Sequence, residues 1–338
     1  MLETLFNYGN FEDIVESILE ETKKQGATSA EVDFAVNKGF SVAAREGDVE
    51  SIEYHQDKIV EITVYIGQKT GAASISDLRP AAIEAAVKAA CDIARFADTD
   101  PYAGLPDKEW LAFNYPEVNI SYPWDMSVEN AIELTKQCEH LALSKNKKIV
   151  ASENVSLATT QAFNLYANTL GFMGGYPVTR HEISCILIAK QKEEMQRDYS
   201  YTIACDPADL VGIDELATEA VNRTVDRLGA KKIKTGQYPV IFLASEARSL
   251  LGNFVAAISG SNLYRKSSFL LDKLGQPIFP SNIQIDERPL LPKYLGSAAF
   301  DEDGIATRNN VFIKDGILSS YALGTYSARK LGMDPTGN

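Results

Sequence analysis

From residue 30 to residue 75, and again from residue 149 to residue 205, apolar and polar residues alternate. This period of two constrains the fold more than any other feature of the chain. Val60, Ile62, Val64 and Ile66 form the cleanest run. Successive side chains on a strand point to opposite faces, so such a run buries one face and leaves the other open. Val32, Phe34 and Val36 alternate in the same way, as do Phe40, Val42 and Ala44. Asn37-Lys38-Gly39 reads as the turn between them and Glu46-Gly47-Asp48 as the next. Ile52 with Tyr54 adds a third strand, and residues 73–75 a last one. The second block reads as strands at 149–157, 162–167, 171–179, 182–190 and 198–205. Two antiparallel meanders follow, each needing cover on one face.

That cover is written in the helical period. Phe11, Ile14, Val15, Ile18 and Leu19 stripe a helix over about 11–25, with Asn10 as cap and Gly26 as stop. Further helices are expected over about 79–96, 127–143 and 213–228, the last ended by Gly229. Helix, meander, helix therefore occurs twice, with a proline-rich connector at 98–124 between the two. Beyond it come a short apolar strand at 238–244 and a helix at 245–258 whose Leu250, Leu251, Phe254, Val255 and Ile258 share a face. A hairpin at 310–323 turns at Lys314-Asp315-Gly316. The expected fold class is α+β: N-terminal antiparallel sheet or sheets with helices packed on one face, then a mainly β C-terminal domain. Residues 1–230 form the first domain, as one unit or as two helix–meander units at 1–100 and 125–230. Residues 231–338 form the second, which reads as incomplete because Asp334-Pro335-Thr336-Gly337-Asn338 is a turn sequence with no closing element.

The chain has 338 residues, 45% of them hydrophobic, and a net charge of −13, which repels phosphate backbones and anionic lipid. No run approaches the roughly 18 apolar residues of a membrane span. Neither nucleic acid nor membrane is an expected partner. Cys91, Cys138, Cys185 and Cys205 show no CxxC pair, and the N-terminus lacks the basic and apolar segments of a secretory signal. A cytoplasmic location is expected.

His181 and Cys185 would share a helix face at ligand spacing, but the following Ile186-Leu187-Ile188 favours a strand, where four residues span roughly 13 Å. His55 and His140 have no partner at ligand spacing. Asp301-Glu302-Asp303 is expected to be a solvated acidic loop. No nucleotide loop and no nucleophile–base arrangement is present, so no catalytic residue is assigned. Tyr264-Arg265-Lys266-Ser267-Ser268 is the best recognition segment, with cationic donors beside an aromatic surface.

Around this segment the sequence resembles the PmbA/TldE branch of the TldD/PmbA family. The resemblance rests on GQYPVIF at 236–242, SLLGNFVAAISG at 249–260, YRKSSFLLDKLGQPIFP at 264–280, DEDGIATR at 301–308 and TYSARKLGMDPTGN at 325–338. It is strongest over about 229–338 and extends more loosely to the N-terminus. It implies a cytoplasmic zinc metalloprotease complex in which a TldD-like protein and a TldE-like protein pair as a heterodimer acting on peptides or unfolded protein. It also carries the older description "modulator of DNA gyrase", so a regulatory interaction protein without proteolytic role is the alternative. In the TldD branch the corresponding helix carries His-Glu-x-x-x-His; here Gly252, Asn253 and Ala257 stand at the ligand and base positions. The resemblance thus implies no metal or cofactor on this chain and zinc on the partner. Edge strands in both meanders and the unfinished second domain make a homodimer the expectation when the chain is isolated.

Overall fold

The computed structural model describes residues 8–338. Helix α1 (Tyr8–Lys24) leads into β1 (Ser29–Arg45), β2 (Asp48–Ile66), β3 (Lys69–Ile75) and α2 (Pro80–Phe96). After the connector come α3 (Val128–Lys145), β4 (Ile149–Asn168), β5 (Met173–Gln191), β6 (Glu194–Ala204) and α4 (Ile213–Asp226). The six strands form one antiparallel sheet in the order β3-β2-β1-β4-β5-β6. The two meanders are fused through β1 and β4, which pair from Glu31 opposite Asn168 to Ala44 opposite Val155. Ser127 caps α3 by accepting from Asn130 N at 3.1 Å, as an N-terminal serine should.

The strands are longer than the sequence reading made them. No turn interrupts β1 at Asn37-Lys38-Gly39, and the pairs 149–157 with 162–167 and 171–179 with 182–190 are each one strand. Gly39 explains the first misreading. It does not turn the chain; a Cβ there would strike Thr159 O of β4 and lie 2.7 Å from His55 Nε2 of β2. Glycine inside a strand marks a close approach of neighbours as often as it marks a turn.

Even-numbered residues of β1 and β2 and odd-numbered residues of β4 and β5 face the helices. Because the strands are so long, this face holds two cores side by side. α1 and α2 close one end over Val32, Phe34, Val60, Ile62, Val64 and Leu165. α3 and α4 close the other over Val42, Val155, Leu157, Ile183, Cys185 and Leu187. The opposite face is covered in part by irregular chain: Leu111, Val118, Ile120 and Phe300 pack on Tyr166 and Phe172.

The C-terminal region contains α5 (Ala244–Ile258), α6 (Gly260–Tyr264), a three-stranded sheet of β7 (Ile285–Glu287), β8 (Asn310–Lys314) and β9 (Ile317–Leu318), and α7 (Thr325–Leu331). Its core joins Ile258, Leu263, Leu270, Phe312, Ile313, Leu318 and Leu323. The expected strand at 238–244 is absent; the run is irregular and exposed, with Ile241 92% accessible. A continuous apolar run has no periodicity to say what it packs against, and here it pairs with no strand among the described residues. The final residues are tied down rather than loose: Thr336 Oγ1 accepts from Leu323 N at 2.7 Å and Gly337 O accepts from Arg308 N at 3.2 Å.

Candidate functional site

Helix α5 presents Gly252 and Asn253 to solvent and turns Ala257 into the C-terminal core. Asn253 spends its amide on Ser249 O at 2.9 Å. A zinc ion needs imidazole, thiolate or carboxylate donors converging at about 2 Å, and glycine, a tied amide and a methyl group supply none. No group of three or more His, Cys, Asp or Glu able to hold a metal exists among the described residues. The side chains on this helix do not fit zinc.

The histidines are accounted for elsewhere. His140 is exposed on α3, and His55 meets Thr160 Oγ1 at 3.2 Å. His181 lies on strand β5, as its neighbours indicated, and is fully buried. Its Nε2 donates to Tyr122 O at 2.9 Å and its Nδ1 accepts from Thr159 Oγ1 at 2.8 Å, with the Trp124 ring edge-on at 5.4 Å. Both nitrogens are satisfied in the neutral form, and burial pulls the imidazole below its usual pKa.

The recognition segment divides on inspection. Tyr264 packs edge-on against Tyr326 at 5.5 Å, Ser267 Oγ donates to Asn262 O at 3.0 Å, and Ser268 Oγ donates to Ala257 O at 2.5 Å. Ser268 also accepts from Leu270 N at 3.0 Å. These three residues hold the end of α6 in place. Arg265 and Lys266 are exposed and carry the segment's charge, Lys266 in the left-handed region at φ 57°.

The face of the sheet away from the helices carries a site the sequence reading missed. Glu31 on β1 accepts from Tyr65 Oη at 2.7 Å and from Tyr166 Oη at 2.8 Å. Burial raises Glu31, partly offset by the two phenols. Burial, with the Glu31 charge beside them, pushes both phenols far above their ordinary range, so they remain donors. Two residues along, Asp33 looks into a cavity of about 270 Å³ with Tyr166, Tyr176, Phe300, Asp301 and Glu302. The Asp33 residue is accessible on the strand, yet the concave wall strips enough water to lift its carboxyl to about 7, with Glu31 and Glu61 adding repulsion. The acidic loop is docked here rather than solvated. Asp301 Oδ1 accepts from Asp303 N at 3.0 Å and Ile305 N at 2.9 Å, and burial raises it to about 7. Phe300 anchors the loop edge-on to Tyr115 at 5.1 Å, Phe172 at 5.3 Å and Tyr176 at 5.4 Å. Gly304, at φ 77°, lets the loop close: a Cβ there would sit 2.7 Å from the Tyr166 ring. The Asp-x-x-Gly turn with an aromatic before it was the available signal; its charge alone suggested solvent.

Three domain profiles match in order along the chain: PmbA/TldA metallopeptidase domain 1 at residues 30–94, the central domain at 121–228 and the C-terminal domain at 235–338. The chain belongs to the PmbA/TldD metallopeptidase family. It is similar to the metalloprotease PmbA of Escherichia coli O157:H7, at 41% identity over 97% of this chain and 72% of that protein. It is similar to the PmbA homolog of Haemophilus influenzae at 38% over 95% and 71%, and to the TldD homolog of the same organism at 24% over 91% and 66%. A crystal structure from Bacteroides thetaiotaomicron, described as a candidate modulator of DNA gyrase, superposes with a TM-score of 0.91 at 25% identity, covering 96% of this chain and 74% of that one. Among the PmbA/TldD proteins the chain therefore stands nearer to those called PmbA. The α+β fold expected from alternation is the fold of the family, and α5 with its donor-free face falls inside the C-terminal domain profile.

Proposed function

We propose that this chain is the non-catalytic, PmbA/TldE-type subunit of a cytoplasmic peptidase whose zinc sits on a TldD-like partner, and that the pair acts on peptides or unfolded protein. The observation that carries the reading is α5. In a member of a metallopeptidase family, Gly252, Asn253 and Ala257 on this helix supply neither ligands for a metal nor a base to activate its water, and no metal-holding group of His, Cys, Asp or Glu exists among the described residues. The chain contributes shape and electrostatics instead. Its acidic, aromatic face offers carboxylates and flat apolar surface to an extended peptide, and Arg265 with Lys266 offers a cationic edge to a partner.

The test is peptide cleavage with zinc, using this protein alone, a TldD-like protein from the same organism alone, and the two mixed. Cleavage that the mixture accelerates and a chelator abolishes is the expected result. Chelator-sensitive cleavage by this chain alone would overturn it. A second reading, regulation of DNA gyrase, draws on the description given to the Bacteroides structure. The net charge of −13 opposes direct contact with DNA, so that reading requires a protein partner.

A further inference from the structure

Beside the acidic face lies a second cavity, of about 330 Å³, where three parts of the chain meet. β2 and β3 give Tyr65 and Thr70, the segment after α2 gives Asp98, Asp100 and Gly104, and the C-terminal region gives Asp303, Thr325 and Tyr326. The three carboxylates differ in how they are occupied. Asp100 accepts from Tyr326 Oη at 2.6 Å and Tyr102 N at 3.0 Å, and Lys330 Nζ stands 3.9 Å away. Asp303 spends one oxygen on Thr325 N at 2.8 Å. Asp98 is exposed and enters no hydrogen bond or ion pair among the described residues.

The nearby cations are committed. The Arg329 guanidinium donates to Gly104 O at 3.1 Å and Leu105 O at 2.7 Å, and Lys330 lies over the Tyr102 ring at 4.5 Å. Asp98 and Asp303 are left without a positive partner. A separate observation points the same way. Thr325 is 4% exposed and lines this cavity, and its Oγ1 has no hydrogen-bond partner. A buried hydroxyl left unpaired is costly, and folded proteins retain few of them.

We propose that this cavity binds a primary ammonium group presented by a peptide, with Asp98, Asp303 and Thr325 Oγ1 as its acceptors. The proposal rests on the reading of the chain as a peptide-handling subunit and names what one of its subsites recognises. An ammonium is compact, carries one positive charge and directs three N–H donors outward, matching one acceptor from the segment after α2 and two from the C-terminal region. A guanidinium presents its donors in one plane and suits a single carboxylate. A metal ion does not fit, since no group of three or more His, Cys, Asp or Glu able to hold one exists among the described residues.

The ammonium is either a peptide's α-amino terminus or a lysine side chain, and three probes separate these: tetra-alanine amide, its N-acetylated form, and N-acetyl-Ala-Lys-Ala amide. Calorimetric titration into the full chain should show the acetylated alanine peptide binding at least about tenfold more weakly than one of the other two, which identifies the source. Asp98→Asn, an exposed and fold-neutral change, should weaken the preferred probe roughly tenfold, as should Thr325→Val, while Thr325→Ser restores binding. Thermal melts of each variant confirm folding. Equal binding of all three probes, no binding of any, or binding unchanged in Asp98→Asn would overturn the proposal. These readings use this chain without a partner or zinc. Failure here with partner-stimulated cleavage intact removes the subsite alone, and binding without any stimulation removes the subunit reading alone.

Discussion

On β5, Leu187 is fully buried beneath α3 and α4, while its neighbour Ile186 looks the other way, onto a shallow surface shared with Arg180, Arg197 and Tyr201. The same contrast holds on β1, where Val32 and Phe34 are buried under α1 and α2 while Glu31 is held by the Tyr65 and Tyr166 hydroxyls and Asp33 lines the acidic cavity. One face of the sheet is closed by amphipathic helices and decided by volume. The other is only partly covered, by irregular chain, and its residues are decided by hydrogen bonds and charge. Stability is concentrated on the first, and the proposed function places recognition on the second.

Neighbouring substitutions break the comparison most directly. Leu187→Ala should cost about 3 kcal/mol, because removing a fully buried side chain loses transfer energy and leaves a cavity. Ile186→Ala, one residue away and half-buried, should cost about 1 kcal/mol. Equal losses in chemical denaturation would mean that both faces are packed cores.

Buried carboxylates sharpen it further. On the helix side, Glu139 of α3 is 1% exposed and accepts from Glu46 N at 2.9 Å, Gly47 N at 2.7 Å and the Ser152 hydroxyl. It holds the β1–β2 turn, where both residues have positive φ. Glu139→Gln puts an amide donor where backbone N–H groups need an acceptor, and should cost about 2 kcal/mol with loss of amide-exchange protection at Glu46 and Gly47. Glu31→Gln on the open side should cost about 1 kcal/mol, since the Tyr65 and Tyr166 hydroxyls can rotate to suit an amide. A reversed order would place the structural burden on the acidic face.

The closed face was the legible one. Alternation in Val60-Ile62-Val64 and helical stripes such as Ile14-Val15-Ile18 located the strands and their helices, because periodicity reports which side chains leave water. Strand ends were not legible where glycine had a second use, as at Gly39. The open face was illegible for a different reason. Glu31 and Asp303 are 272 positions apart, and only the folded chain reveals that they share an environment. The α7 helix was available in principle, since Gly332 at φ 65° ends it with Arg329 and Lys330 in its last turn. Gly252, Asn253 and Ala257 were informative by their chemistry, which no fold can turn into zinc ligands.

The two faces should also titrate with opposite sign. His181, on the helix side, is held neutral and below its usual pKa, so as pH falls below about 6.5 the unfolded chain takes up a proton that the folded chain refuses. Its contribution to stability falls with falling pH. Asp33 and Asp301, on the open side, are raised from 3.8 to about 7, so between those values the folded chain holds protons that the unfolded chain has released. Their contribution is complete below pH 4 and is lost as pH rises through 7. The two trends overlap and flatten the wild-type profile. Asp33→Asn combined with Asp301→Asn should leave stability rising with pH up to about 6.5, whereas His181→Gln should leave it falling toward pH 7. Each slope should amount to about 1 kcal/mol, since the open cavity lets water screen the carboxylates. Added salt should reduce the slope that survives in His181→Gln only in part and leave the other unchanged, because salt screens the repulsion among Asp33, Asp301 and their acidic neighbours but not the desolvation that is the larger cause for both carboxyls and for the buried imidazole. Slopes of the same sign in the two variants would show that the faces share one electrostatic environment.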